Sequence, residues 1–214
     1  MPIVKNLTQT EINKIQIDEG VCILDYGEDS EKPLLPCRGG SEFAASATVR
    51  DIEFDGRIGK TKGLQSIDDQ TASLKLTIIN MSQHSLALAI PFCRMYDSNG
   101  TEITSSISTA DPAVIKNPKS GIVQSTAYLK NVTMFAKLID GTYKKITIYN
   151  PMHEGGLTAK ATQKAEGELA LEFFAHYTPD DLDGVFWEVT EITEFSLRKV
   201  VSGTNGTQAQ TSSN

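Results

Sequence analysis

The chain has no apolar run approaching the roughly 20 residues that a membrane helix needs. It has only three cysteines, Cys22, Cys37 and Cys93. An odd count argues against a disulfide framework, and three widely spaced thiols do not make a zinc site. We therefore expect buried free thiols and no bound metal. The first six residues lack the basic start and apolar stretch of a secretory signal, so we expect folding in a cytoplasm.

An excess of positive charge is also missing. The 20 Lys and Arg residues are outnumbered by 27 Asp and Glu, and the net charge is −7. Affinity for a phosphate backbone comes mainly from Lys and Arg that displace condensed counterions. The composition therefore argues against tight binding of nucleic acid, and any contact with DNA should be non-adhesive.

What the chain does have is a β-rich composition. Hydrophobic residues make up 39% of 214 residues, and Gly, Ser, Thr and Asn are plentiful, which suits many strands, turns and loops. This length commonly forms a single β domain. We predict one domain over residues 1–200, followed by a flexible C-terminal tail over 201–214, which has no bulky apolar residue to anchor it.

Alternation of polar and apolar residues predicts the clearest strands. Residues 73–78 and 145–149 alternate, so each predicts a strand with one buried face. Two β-rich runs, 131–139 and 142–150, flank Asp140-Gly141, a dipeptide typical of tight hairpins. Further strands are predicted at 21–26, 44–54, 168–177 and 186–197.

One short helix is predicted, with Ser82 as its N-cap and its end before Pro91. The stretch 157–167 has no clear apolar stripe and is predicted as a loop. Two long connections, 55–69 and 97–126, are rich in Gly, Ser, Thr, Lys and Asp. Long structureless loops are uncommon inside a compact domain, so we expect a neighbouring subunit to order them.

The most tempting catalytic string is Gly59-Lys60-Thr61, which resembles the end of a phosphate-binding loop. That loop needs a glycine where this chain has Phe54, and it must open a helix, whereas Gly63 and β-like residues follow here. We interpret the string as a flexible basic loop between strands. The sequence thus predicts no cofactor site.

Other catalytic groups are equally poorly placed. The histidines His84, His153 and His176 have no metal-ligand spacing. The carboxylate pairs Asp68-Asp69 and Asp180-Asp181 lie in turn-like sequence, where Asp is favoured for its bonds to the backbone. The chain is therefore predicted not to be an enzyme.

Six segments follow one another in a recognisable order: Ile17 to Gly27, Gly39 to Phe43, Arg50 to Gly56 with Lys62-Gly63-Leu64, Ser73 to Ile79 before the Ser82 helix, the Asp140-Gly141 hairpin, and Leu171 to Tyr177. This order resembles that of the major tail tube proteins of bacteriophages with long non-contractile tails. The resemblance spans roughly residues 15 to 195, and it rests on pattern and order rather than on a catalytic signature. Residues 97–126 have no counterpart in this pattern, which leaves an insertion or a long loop.

The resemblance implies a mainly β fold, a β-sandwich or partial barrel with one flanking short α-helix and long loops between strands. It also implies a virion subunit that self-assembles into stacked hexameric rings, forming a non-adhesive conduit for genome ejection. Its partners would be further copies of itself, the tape measure, tail completion and distal tail proteins, and passing double-stranded DNA, with no membrane. Assembly would take place in the host bacterial cytoplasm.

Two groups of residues follow from this resemblance as candidate sites. The first is an inter-ring loop with Asp55, Arg57, Lys60, Lys62, Asp68 and Asp69. The second is a pair of lumen-facing acids, Glu168 and Glu172, which alternate outward against apolar neighbours. An acidic lumen would repel phosphates and let DNA slide.

Three alternatives remain open from the sequence. A β-sandwich adhesin or carbohydrate-binding module would use exposed aromatic residues such as Trp187 and Tyr177, although Trp187 in a strand favours core or interface packing. A tube subunit of a contractile tail-like machine would share the fold and the self-assembly. A nucleotide-dependent enzyme would rest on Lys60 and Thr61 alone.

Overall fold

The computed structural model describes residues 8–17, 20–35, 37–56, 59–158 and 166–196. In these residues the fold is mainly β, with three antiparallel sheets and two short α-helices, which confirms the predicted fold class. The helices are α1 Gln9–Asn13 and α2 Gln83–Ala89, and neither is long or apolar enough to cross a membrane. The strands are β1 Val21–Leu24, β2 Lys32–Pro33, β3 Cys37–Asp51, β4 Gln65–Ile78, β5 Arg94–Tyr96, β6 Glu102–Ile103, β7 Val114–Lys116, β8 Asn131–Lys137, β9 Tyr143–Tyr149, β10 Met152–His153, β11 Leu169–Phe174 and β12 Trp187–Ile192.

The first sheet has the strand order β12-β9-β8-β1-β2. Its centre is the β8–β9 hairpin, which confirms the hairpin predicted around Asp140-Gly141. Gly141 has a φ of +85°, a left-handed conformation that glycine adopts without a steric penalty. The Asp140 carboxylate accepts hydrogen bonds from the backbone N–H and the hydroxyl of Thr142. Local sequence therefore fixes this turn.

The second sheet has the order β10-β11-β4-β3. Strands β3 and β4 form one long hairpin, paired from Ser41 opposite Leu76 to Asp51 opposite Gln65. In contrast, β11 pairs only with the inner half of β4, from Ile78 to Ser73. Within the described residues, the outer half of the hairpin therefore has no third strand.

One hydrophobic cluster holds the first two sheets together. It is formed by alternate side chains of facing strands, all of them buried: Cys22, Val132, Ile148, Leu74, Leu171 and Phe173. Successive side chains of a strand point to opposite faces, so this burial accounts for the alternation in the sequence.

Helix α2 begins where the sequence predicts it. Ser82 is the N-cap, and its hydroxyl accepts a hydrogen bond from the backbone N–H of Ser85 at 3.2 Å. The helix ends at Ala89, ahead of Pro91, which has no N–H with which to continue it. Leu88 is buried in the core cluster, so the helix covers part of the sandwich.

The prediction of an unstructured connection over 97–126 is wrong. The segment contributes β6 and β7 to a third sheet of order β6-β5-β7, and a short 3-10 turn follows at Ser125–Ala127. Ile107 and Ala110 are buried in the main core. Strands of two or three residues are too short to leave a periodic signal, and the segment is ordered by its own chain.

The boundaries of other predicted elements also change. Strand β4 begins at Gln65, so Asp68 and Asp69 lie in a strand and not in a loop. Strand β3 begins at Cys37, ahead of the predicted start at Ala44, and ends at Asp51. Helix α1, capped reciprocally by Thr8 and Glu11, was not among the predicted elements; it is short and buries no residue. The predicted tail, 201–214, lies outside the described residues.

Candidate assembly surfaces

The outer half of the β3–β4 hairpin forms a two-stranded arm, which we define as residues 44–56 and 59–71. All residues of 44–50 and 67–71 are exposed, whereas Ala72 and Leu74 are buried. A two-stranded ribbon with no packed face is only marginally stable in water. The arm therefore presents a surface that contact with another molecule would stabilise.

One face of the arm is mainly apolar and continues the core face of the second sheet. Behind the core pair Phe43 and Leu74, the cross-strand pairs on this face are Ala45 with Ala72, Ala47 with Gln70 and Val49 with Ile67. A bulge in the pairing next to Val49 brings Ile67 onto this face. Val49 is 53% exposed and Ile67 is 59% exposed. None of the residues that the structure describes covers this stripe.

The opposite face of the arm is polar, and its side chains pair with one another. The hydroxyl groups of Ser46 and Thr71 are 2.8 Å apart across the strands. Arg50 Nε donates to the Asp68 carboxylate at 2.7 Å, and this bond lowers the pKa of Asp68 below its usual value. These polar side chains bond to one another and are also stable in water, so the apolar face is the one that a partner would stabilise.

The arm tip, which we define as residues 51–56 and 59–64, combines apolar and charged side chains. Ile52 and Phe54 are 43% and 56% exposed. Asp55, Lys60 and Lys62 are exposed beside them, and the Lys60 ammonium is 3.9 Å from the carboxylate of Asp51 in the adjoining strand. Such a tip can contact a partner through both kinds of interaction.

The predicted inter-ring residues are thus divided by the structure. Asp55, Lys60 and Lys62 lie at the arm tip, while Asp68 and Asp69 lie on β4 further along the arm. Arg57 lies outside the described residues. Their contact with another ring stays a prediction.

A second exposed apolar surface lies on and next to the edge strand β12. We call it the β12 flank and define it as Leu182, Val185, Trp187 and Val189, which are 70%, 74%, 36% and 46% exposed. Trp187 and Val189 lie opposite Ile148 and Ile146 of β9. They therefore share the core face of the first sheet, at a margin where their own chain does not fully cover it.

The aromatic residues considered for carbohydrate binding take part in packing. The ring centroids of Trp187 and Phe43 are 5.5 Å apart, and those of Tyr177 and Phe186 are 4.4 Å apart. A sugar-stacking platform needs a free aromatic face. The observed contacts favour a packing role for both rings.

Both predicted lumen-facing acids lie on the outward side of the second sheet. Glu172 lies opposite Lys75, and their charged groups are 3.1 Å apart. Glu168 accepts a hydrogen bond from Arg38 at 2.8 Å, and Arg38 also contacts Glu166 at 3.0 Å. These bonds raise the pKa of Arg38. The acids are therefore partly neutralised within the chain, and their place in a lumen stays a prediction.

A groove of about 660 Å³ lies on the same side, lined by Glu168, Glu172, Lys75 and His153 among others. His153 is almost fully buried. Its Nδ1 accepts from the backbone N–H of Glu172 at 2.9 Å, and its Nε2 donates to the carbonyl of Gly156 at 3.2 Å. Both ring nitrogens are committed to the backbone, so this histidine fixes strand β10 on β11 and has no free nitrogen for proton transfer.

The two other histidines, His84 and His176, also have structural roles. His84 Nδ1 donates to the carbonyl of Ala110 at 2.9 Å, and burial lowers the pKa of His84. His176 Nδ1 donates to the carbonyl of Asn150 at 3.1 Å.

Gly59-Lys60-Thr61 lies at the arm tip and leads into strand β4, not into a helix. The arrangement lacks the helix N-terminus that cradles a phosphate in nucleotide-binding loops.

Comparison with known proteins adds little to this geometry. No protein-family model matches the chain, and no curated protein matches its sequence. Among solved structures the chain is similar to one described as the virion of native gene transfer agent (GTA) particle. The TM-score is 0.39 with 8% identity, over 75% of this chain and 92% of the other. A TM-score and an identity this low carry no argument about function.

Proposed function

We propose that this protein is a structural virion subunit that assembles with copies of itself into stacked hexameric rings, which form the tube of a phage tail. The tube would conduct the genome into the host and would carry out no chemical reaction. The order of strands and the hairpin in the sequence, which resemble those of tail tube proteins, suggest this family. The structural feature that supports self-assembly is the exposed arm.

The arm supports self-assembly because exposure of its apolar face to water is unfavourable. Its apolar stripe, with Val49 and Ile67 more than half exposed, continues the core face of the second sheet. Unpaired strand edges and uncovered apolar faces are hazards in a monomer, and a neighbouring subunit can cover both. The arm thus has the properties of an intersubunit element.

The charge of the chain suits a conduit. With a net charge of −7 for each copy, a ring of six copies would be strongly acidic. Long-range repulsion of phosphates would let double-stranded DNA pass without binding. On the outward side of the second sheet, Arg38 and Lys75 are engaged in ion pairs with Glu168 and Glu172, so these two cations are poorly placed to bind DNA.

The proposal is tested by electron microscopy of the purified full-length protein over a range of concentrations, with and without its tail partners. We expect rings or tubes to form above a threshold concentration. A matched variant replaces residues 47–70 with Asn-Gly, which joins the paired residues Ser46 and Thr71 by a two-residue turn. It should keep the core, melt at a similar temperature and form no rings.

Two results would count against the proposal. A wild-type protein that stays monomeric at every concentration, even with its tail partners present, would exclude a tube subunit. Tubes formed equally well by the arm-deleted variant would show that assembly does not depend on the arm.

A further inference from the structure

The β12 flank is an uncovered continuation of the core. Trp187 and Val189 share one face of β12 with Ile148 and Ile146 of β9, and exposed Val185 lies just ahead of the strand. Apolar surface that is left in contact with water is unfavourable relative to buried apolar surface. Leu182, in the adjoining turn, extends the surface. A partner that covers it should itself be apolar.

The arm of the same molecule cannot cover this flank. Phe43 meets Trp187 at the base of the arm. From Phe43 the strand continues to Val49 and Asp51, which at about 3.3 Å per residue places Val49 roughly 20 Å further along β3. The β3–β4 pairing is continuous along this length apart from one bulge, so the arm does not fold back. Any arm that reaches the β12 flank belongs to another copy.

Charge distinguishes the two surfaces. Residues 178–195 contain six acids and no Lys or Arg: Asp180, Asp181, Asp183, Glu188, Glu191 and Glu194. Lysines of the chain pair with Glu188 and Glu191. In the described part of the chain, no cation lies within ion-pair distance of the three aspartates in the turn. This turn therefore offers free negative charge beside exposed Leu182 and Val185.

One limb of the arm tip offers the complementary combination. Residues 59–64 contain Lys60 and Lys62 and no acid, whereas the other limb carries Asp51, Glu53 and Asp55. The Lys60 side chain is 81% exposed, and its ammonium is 3.9 Å from the Asp51 carboxylate. Phe54 lies exposed on the other limb of the tip, and Val49 and Ile67 follow along the arm. The lysines of residues 59–64 and the apolar groups beside them are thus complementary to the aspartates and apolar groups of the β12 flank, which favours specific association.

The strand edges are also compatible. Among the described residues, β12 pairs only with β9, and the arm part of β3 pairs only with β4. Each therefore presents a row of unpaired backbone groups, which an added strand from another chain can satisfy. Pairing of β12 with β12 of a second copy would instead bring two acidic turns together, which like-charge repulsion disfavours.

From these observations we infer that the arm of one copy docks on the β12 flank of the next, with Lys60 and Lys62 against the aspartates of residues 180–183. This inference rests on the proposed self-assembly and names its contact. Where each arm engages the flank of a different copy the contact is heterologous, so association continues from copy to copy until a ring closes.

A charge-reversal experiment tests the contact in the full-length protein. The arm variant carries Lys60→Glu and Lys62→Glu, and the flank variant carries Asp180→Lys and Asp183→Lys. Each should raise the threshold concentration for assembly by about tenfold or more, because each places like charges in contact. The chain that carries all four substitutions should assemble within about twofold of the wild-type threshold, because its charges are complementary again.

A control variant separates the contact from a general effect of charge. Lys119→Glu with Lys130→Glu makes the same change in net charge as the arm variant, at two lysines whose side chains are each 66% exposed. It should assemble as the wild type does. Melting curves of all variants establish that each is folded.

Zero-length carbodiimide cross-linking of a mixture of ¹⁴N and ¹⁵N protein should join Lys60 or Lys62 to residues 180–183 in mixed-isotope peptides.

The outcomes are distinct. If the wild type assembles and the arm and flank variants assemble at the same threshold, the docking inference is overturned while the proposed function stands. The docking inference is also overturned if the arm and flank variants lose assembly and the chain with all four substitutions does not regain it. Cross-links found only between peptides of the same isotope would overturn it as well. A wild type that never assembles overturns both the inference and the proposed function.

Discussion

The ring of Phe43 lies 5.5 Å from the ring of Trp187, and this contact marks the place where the β3–β4 hairpin leaves the core. Phe43 belongs to the second sheet and Trp187 to the edge strand of the first. On one side of this pair the hairpin is covered by β11 and the first sheet, and on the other it is exposed on both faces. The pair therefore joins the base of the arm to the β12 flank.

Removal of the Trp187 ring should loosen this junction. We expect Trp187→Ala to lower the free energy of unfolding by about 1–2 kcal/mol, less than for a fully buried aromatic residue because the side chain is partly exposed. Urea unfolding of the monomer measures the change. Trp187→Phe keeps a ring against Phe43 and should lower the free energy of unfolding by less than half as much as Trp187→Ala. Equal losses for the two variants would show that the ring contact is not what matters.

Apolar residues in the arm should contribute to assembly and not to monomer stability. Leu74→Ala removes a fully buried side chain and should cost about 2–5 kcal/mol in free energy of unfolding. Ile67→Ala, on the same face and the same strand, should cost less than about 0.5 kcal/mol because Ile67 is exposed. Both are measured by urea unfolding below the assembly threshold. An Ile67 variant as unstable as the Leu74 variant would mean that the arm packs on its own core.

The turn at Asp140 should give the protein an acid-sensitive contribution to stability. Hydrogen bonds from the hydroxyl and the backbone N–H of Thr142, together with Lys14, lower the pKa of Asp140 to about 2 from 3.8. A carboxyl with a lowered pKa stabilises the folded state above its unfolded pKa, and this contribution is lost as the pH falls from about 4 towards 2.

Asp140→Asn removes this titration. Its melting temperature should therefore fall less steeply than that of the wild type between about pH 4 and pH 2. Thermal unfolding at several pH values measures both slopes. Added salt should weaken only the Lys14 part, because the bonds from Thr142 involve no second charge. Parallel pH profiles for the two proteins would contradict the assignment.

The thiols should be slow to react in the folded protein. All three cysteines are free, as predicted, but only Cys22 is fully buried. Burial raises the pKa of Cys22 to about 12, and it also raises the pKa values of Cys37 and Cys93. The thiolate is the reactive form, so its population at pH 8 is reduced at all three sites.

Thiol titration with a chromogenic disulfide reagent at pH 8 measures this protection. In denaturant all three cysteines should react at once, whereas in the folded protein Cys22 should react most slowly. Cys22→Ser serves as the matched variant, because its loss should remove the slowest phase and leave the other two. Fast reaction of three thiols in the folded protein would contradict the observed burial.

Sequence patterns predicted the elements whose signals are local. The β8–β9 hairpin follows from Asp140-Gly141, where the side chain of one residue and the backbone freedom of the other close the turn. Helix α2 follows from Ser82 as its cap. Short strands such as β5 and β6 were missed because their pairing partners, and not their own residues, make them strands.

The candidate site was only partly predictable. The loop 55–69 was identified by composition, but Asp68 and Asp69 proved to lie on a long strand. The β12 flank was missed as a surface, although its strand was predicted and Trp187 was already noted for packing. One signal for it is present in the sequence: residues 178–195 carry six acids and no cation beside exposed apolar residues.

By itself the sequence determined that this is a β protein with one capped helix and a tight central hairpin, because alternation, capping and turn chemistry act between near neighbours in the chain. Only the tertiary structure decided which apolar positions are covered. Leu74 and Ile67 both face the core side of the second sheet, yet one is buried and the other exposed. The difference depends on how far the opposing sheet extends, and that is set by contacts between residues distant in sequence.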